Sequence, residues 1–199
     1  MNNATDSAAP RRRSQLWLLI AIFFAPLAVA FLLYYGTDGW RPAGSTNHGE
    51  LITPARPLPQ LTLTSTAGTS LGNELWQDKW TVVYVGDGQC DAVCRDALFL
   101  TRQTRLALGD DMTRVQRVFL VTANCCDQPY LDTEHPDLTE VRADDAAGQQ
   151  LLAAFPAPAV GRIFIVDPLG NLMMSHMPDA HSRGLLEDLK KLLKLSHIG

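Results

Sequence analysis

Four cysteines stand in this chain as two pairs: Cys90 and Cys94 with three residues between them, and Cys125 and Cys126 side by side. Two sulfurs one helical turn apart can share a soft cation such as Cu(I), or close into a disulfide after a small adjustment. A zinc ribbon would need two C-x-x-C knuckles, and neither pair has that spacing. For the vicinal pair the readings are thiol exchange with Cys90 or Cys94, metal ligation, or two small residues with a local role in a loop. Imidazoles are the other donors. His176, in "MMSHM", is a candidate copper ligand, while Met173 and Met174 read as packing residues. His135, in "DTEHPD", is a comparable outsider, and His48 and His197 carry no signal.

Whether such cysteines meet oxidants or copper depends on compartment. Leu16 to Tyr35, "LWLLIAIFFAPLAVAFLLYY", is an uncharged run of 20 residues, long enough to cross a bilayer as a helix. Arg11, Arg12 and Arg13 precede it, and Arg41 is the first basic residue after it. The positive-inside bias therefore expects residues 1–15 in the cytoplasm, a transmembrane helix over 16–35 in a bacterial-type inner membrane, and the rest in the periplasm. Trp17, Tyr34, Tyr35 and Trp40 suit the interfacial belts, and Pro26 suits a kink. A cleaved signal peptide is the competing reading, because Ala28 to Ala30 has the small-x-small form; the continuation "FLLYY" favours a retained anchor. The net charge of −4 argues against a nucleic-acid partner.

The next stretch, 36–57, is rich in Gly, Pro, Ser and Thr and is expected as a flexible tether, leaving 58–199 as one domain. Within it "QLTLTST" alternates as a short strand, "SLGNELWQDKW" reads as a turn of helix, and "WTVVYVG" is a buried strand. A helix is expected from Ala92 to about Leu108, and a second buried strand over Val115 to Ala123. The polar stretch Asn124 to Arg142 is expected as loop, followed by a helix over Asp144 to Phe155. "GRIFIVD" and "NLMMSHM" make a hairpin about "PLG". Leu185, Leu186, Leu189, Leu192 and Leu193 fall on one face of a closing helix. Strands and helices in this order predict an α/β fold with a mixed β-sheet flanked by helices.

That order, with a cysteine pair where a buried strand meets its helix, resembles the thioredoxin-like superfamily. Within it, "DKWTVVYVGDGQCDAVCRDAL" is similar to the Sco/SenC family, membrane-anchored proteins of cytochrome c oxidase assembly that deliver copper and handle thiols. Gly86, Cys90, Val93 and Cys94 match that family's strand-Gly and Cys-x-x-x-Cys signature. The resemblance implies a thioredoxin-like fold over roughly 58–195 and Cu(I) or thiol chemistry at Cys90 and Cys94. It implies an oxidase subunit or another assembly factor as partner. Departures accompany it. The family's ligand His, counted back from Pro168, falls on Ala159; the superfamily's cis-proline, counted back from Asp167, falls on Gly161, with Pro158 nearby; Asp91 and Arg95 replace prolines after the cysteines.

At a helix N-terminus a thiolate is stabilised by free N–H groups, so Cys90 is expected to be the more acidic, more exposed and attacking sulfur, with Cys94 resolving. Asp87 and Asp91 oppose that acidity. Besides a Sco-like assembly factor, the pattern admits a membrane-tethered thiol:disulfide oxidoreductase of broader range and a redox-inactive docking module with structural cysteines.

Overall fold

The computed structural model describes residues 9–36, 46–178, 182–196 and 198. Trp40, Arg41, His181 and His197 lie outside them. The chain divides into two units, Met1–Ser45 and Thr46–Gly199. The first contains α1 (Ala9–Gly36), which runs through Pro26. Its stretch Ser14–Gly36 has 23 residues at a mean hydropathy of 2.7 and no buried side chain. At ~1.5 Å per residue it matches the ~30 Å of bilayer hydrocarbon, so by length and composition it can serve as a single membrane anchor.

The second unit is built on a six-stranded sheet. Its centre is β4 (Trp80–Gly86), every residue of which is buried. A run of Val and aromatic residues without alternation is what a strand covered on both faces requires. Parallel to it lies β5 (Val115–Val121), in register from Trp80 opposite Val115 to Gly86 opposite Val121. Beyond β5 the edge strand β6 (Leu138–Arg142) is also parallel. On the other side β7 (Ile163–Val166) pairs antiparallel with β4 and forms the expected hairpin with β8 (Asn171–His176), and β1 (Glu50–Pro57) closes the sheet antiparallel to β8. A separate two-stranded ladder pairs β2 (Leu63–Thr64) with β3 (Ser70–Leu71).

Alternate residues of the strands feed two cores. On one face Val82, Tyr84, Phe119 and Ile163 pack with Ala97 and Leu98 of α2 (Ala92–Leu106), Leu131 of α3 (Gln128–Glu134), and Leu185, Leu189 and Leu193 of α5 (Ser182–Leu195). On the other, Val83, Val85, Val118 and Phe164 pack with Leu151 of α4 (Ala146–Leu152), Phe155 and Trp76. The expected α/β sandwich is therefore the observed one.

Three stretches differ from expectation. Residues 50–57 form a strand rather than part of a tether: β1 is an exposed edge containing Pro54 and Pro57, which has no apolar alternation to announce it. The polar stretch 124–142 holds α3 and β6, each with one fully buried anchor, Leu131 and Val141. One fully buried residue in a seven- or five-residue element, with its other apolar residues only partly covered, is too little for periodicity to register. The alternating "QLTLTST" contributes only the two residues of β2.

Candidate functional site

The strand β4 ends at Gly86, and α2 starts at Ala92 with Asp91 as its N-cap, the Asp91 carboxylate accepting from the Cys94 amide at 3.0 Å. Cys90 thus precedes the helix, at φ +47°, and Cys94 sits in its first turn. The left-handed turn at Cys90 brings the two Cα atoms to 4.9 Å, and the side chains form a disulfide. The sequence leads one to expect Cys90 to be the more exposed of the two sulfurs. Instead both are buried, Cys90 at 1% and Cys94 at 3% exposure, because the loop folds back over the first-face core.

The pair lines an open cleft of about 440 Å³ together with Tyr84, Asp91, Val93, Val160 and Gly161. Val93 and Val160 are each 58% exposed, so apolar surface flanks the disulfide. Burial, with the Asp91 charge adding to it, pushes the Tyr84 hydroxyl up to about 12, so that wall of the cleft stays neutral. The Gly161 amide bonds Val85 O at 2.8 Å, which seats the 160–161 segment beside β4. The position facing the cysteines is thus Gly161, as counted from sequence, while the cis peptide bond falls at Ala157–Pro158. Ala159, where a ligand His was sought, packs against the second core.

Because β4 and β5 are parallel and in register, the loops after them leave the same edge. Backbone bonds join these loops: Thr122 N to Gly86 O at 2.9 Å, Gly88 N to Ala123 O at 2.8 Å and Asp127 N to Gly88 O at 2.9 Å. Gly88 is required there, since a Cβ would lie 2.6 Å from Cys125 Cα. Asp87 accepts from Gln89 N at 2.8 Å and from Asn124 Nδ2 at 2.7 Å, which orders the same junction. Cys125 and Cys126 form the second disulfide, with Cα atoms 3.1 Å apart. Cys125 is exposed, whereas Cys126 is half-buried and packs against the core that contains Cys90 and Cys94.

Sequence reasoning missed Arg95 as a site residue. Its Nε donates to Cys90 O at 3.1 Å and its Nη2 to Asp127 at 2.7 Å, and its guanidinium lies 4.4 Å from the Tyr130 ring centre. One side chain therefore holds the Cys90 turn to the loop that carries the vicinal pair. The available signal was the departure itself, an arginine directly after Cys94 where the resembled family has proline.

The histidines are placed elsewhere. His176 ends β8, two strands from β4, and its Nε2 lies 3.5 Å from Asp188 and 3.1 Å from Met174 Sδ. Burial holds its pKa below the usual range, with the Asp188 charge opposing and His48 reinforcing. His135 sits between Tyr130 and Arg117, its Nε2 at 3.0 Å from Tyr130 Oη. Among the described residues no group of three or more His, Cys, Asp or Glu side chains is arranged to hold a metal ion.

The family model described as "Transmembrane-like, thioredoxin-like, C-terminal domain" matches residues 80–196. No curated protein matches the chain. Among solved structures, apo Sco1 from Thermus thermophilus is 19% identical at a TM-score of 0.61, covering 75% of this chain and 99% of its own. Copper-bound Sco1 of yeast is 14% identical at a TM-score of 0.62, covering 73% and 96%. Copper-bound ScoI from Bradyrhizobium japonicum is 18% identical at 0.54, covering 68% and 98%. At such identities the likeness is one of fold, and at that level the resemblance to Sco/SenC proteins is borne out.

Proposed function

Since the chain belongs to the transmembrane-like, thioredoxin-like C-terminal domain family, we propose that it is a membrane-anchored, Sco-like assembly factor for cytochrome c oxidase whose working group is the Cys90–Cys94 pair. Its N-terminus lies in the cytoplasm, α1 spans the inner membrane and the thioredoxin-like domain faces the periplasm, an orientation supported by Arg11 to Arg13 ahead of the apolar run. One observation carries the reading: the disulfide stands at the β4–α2 junction and lines a cleft flanked by exposed valines, where an extended client segment can be received.

Thiol handling fits the donor set better than copper delivery does. Two sulfurs are present, but His176 is engaged with Asp188 and Met174, and no third donor joins the pair among the described residues. In the reduced protein the Cys90 thiolate attacks a client disulfide, expelling one client sulfur as a thiolate. The Cys94 thiolate then attacks Cys90 Sγ, expelling the second. The client gains two electrons and two protons, and the Cys90–Cys94 disulfide is restored.

The near-complete burial of both cysteines favours one second reading, a structural disulfide in a docking module. The test is a redox titration of the full chain in detergent, read by alkylation and peptide mass, followed by Cu(I) competition against a chelator under anaerobic conditions. Reversible cycling of Cys90–Cys94 without stoichiometric copper is expected. A pair that resists excess dithiothreitol overturns the thiol role. One tightly held copper per chain, lost in Cys90→Ser with Cys94→Ser, makes the protein a copper carrier.

A further inference from the structure

Resting on that reading, we propose that the vicinal Cys125–Cys126 disulfide is a second redox site, the entry port through which an external dithiol re-reduces the buried Cys90–Cys94 pair. The two pairs divide accessibility between them. Cys90 and Cys94 are 1% and 3% exposed, while Cys125 is exposed and Cys126 packs against the core that holds the first pair. The port and the buried pair are held together. The Gly88 amide and carbonyl bond Ala123 and Asp127, Gly88 leaves no room for a Cβ against Cys125, and Arg95 ties Cys90 O to Asp127.

The transfer balances as two thiol–disulfide exchanges. A thiolate of the external dithiol attacks Cys125 Sγ, the exposed sulfur, and expels Cys126 as thiolate. The dithiol's second sulfur then closes its own disulfide and releases Cys125 as thiolate. Cys126 Sγ, on the inner side, attacks Cys90 Sγ; the Cys90–Cys94 bond breaks, and its electron pair leaves on Cys94, which takes a proton. Cys125 attacks Cys126 Sγ, re-forming the vicinal disulfide and freeing Cys90. Two electrons and two protons have passed from the external dithiol to the buried pair, and the port is oxidised again. The donor class is a dithiol, a protein or a small molecule of thioredoxin-like chemistry.

Two measurements on the full chain in detergent test this. In the first, oxidised protein is treated with limiting dithiothreitol, quenched with an alkylating agent and mapped by peptide mass. Reduction of Cys90–Cys94 is expected to be about ten-fold slower in Cys125→Ala with Cys126→Ala than in the unaltered chain. Equal rates overturn the port, while leaving the function proposed for Cys90 and Cys94 intact. No reduction in either protein overturns both. In the second, Cys94→Ser with Cys125→Ser leaves one sulfur of each pair, and mild oxidation is expected to yield a Cys90–Cys126 cross-linked peptide. Two persistently free thiols in that folded variant overturn the proposal by geometry alone.

Discussion

At the edge where β4 and β5 end, order comes from loop backbones bonded to one another and from the exposed or half-buried carboxylates of Asp87, Asp91 and Asp127, and sulfur is what the arrangement presents. Elsewhere on the same sheet the charges go inside. Arg117, on β5, has a fully buried side chain and bonds Asp137, with Arg105 reaching the same carboxylate at 3.1 Å. Asp188, on α5, is equally buried. It accepts from the backbone amides of His48 and Gly49, each at 2.9 Å, with His176 at 3.5 Å and Lys191 at 3.7 Å. In this molecule buried ionisable groups therefore mark where the chain is fastened, and the chemistry proposed for it sits at the cysteine edge. His176 and His135 have depressed proton affinities, the usual mark of a reaction site, yet both belong to the fastenings.

The largest expected effect breaks the Arg117 fastening. Asp137→Asn leaves a buried guanidinium without its counter-charge, which is expected to destabilise the domain by about 3 kcal/mol, near the low end for a broken buried pair because Asp137 stays 35% exposed. Burial alone would raise the Asp137 pKa, but Arg117's bond and charge outweigh it and hold the carboxyl below the usual range. Urea unfolding of the full chain measures the loss, and the rate of Cys90–Cys94 reduction should stay unchanged. A stability loss below ~1 kcal/mol, as for an exposed pair, would erase the contrast between the two regions.

A smaller effect is expected at the second fastening. Asp188→Asn keeps one acceptor oxygen for the amides of residues 48 and 49 but removes the charge that strengthens those bonds, at about 2 kcal/mol. Amide hydrogen exchange at His48 and Gly49 should accelerate first, because Asp188 accepts both of their amides, whereas Glu187 and Lys191 of α5 reach only the His48 side chain and the Thr46 carbonyl. Gly49 itself lies so close to the His176 ring that a Cβ would collide with it. If exchange at 48 and 49 stays slow, the segment is held by β1 pairing with β8 instead.

The cysteine edge was legible in sequence and the fastenings were not, for a physical reason. Strand β4, helix α2 and strand β5 each announce themselves by continuous or periodic apolar residues, and their order puts the ends of both strands at one edge. Cys90, Cys94, Cys125 and Cys126 followed from that topology. The left-handed turn that buries Cys90 did not, nor did Arg95's bridge, because both depend on loop packing. His176 was sought as a ligand since its strand returns to the active edge; the side chain points to α5, which no strand order reveals. The Asp188 fastening joins residues 140 apart in sequence, and an acid in an amphipathic helix, here next to Glu187, reads as solvated.

The third and smallest effect at neutral pH lies in His135. The Arg117 guanidinium has only hydrogens to offer, so His135 Nδ1, 3.5 Å away, must be the acceptor, and Nε2–H donates to Tyr130 Oη at 3.0 Å. Protonation would turn an N–H toward a cation in a buried place. Burial first, then Arg117 and Arg102, accordingly push the His135 pKa from 6.5 down to about 4. Between those values the unfolded chain binds more protons than the folded one. Stability is therefore full above pH ~6.5, declines as the pH falls toward about 4, and loses nothing further to this group below that. His135→Gln keeps a hydrogen-bonding amide, should cost about 1 kcal/mol at pH 7, and should flatten the decline without abolishing it, since His176 titrates in the same sense. Melting curves from pH 7.5 to 4.5 compare the two proteins. Parallel curves would mean that His135 already exchanges protons with solvent, and the fastening around Arg117 would then be as open as the cysteine edge.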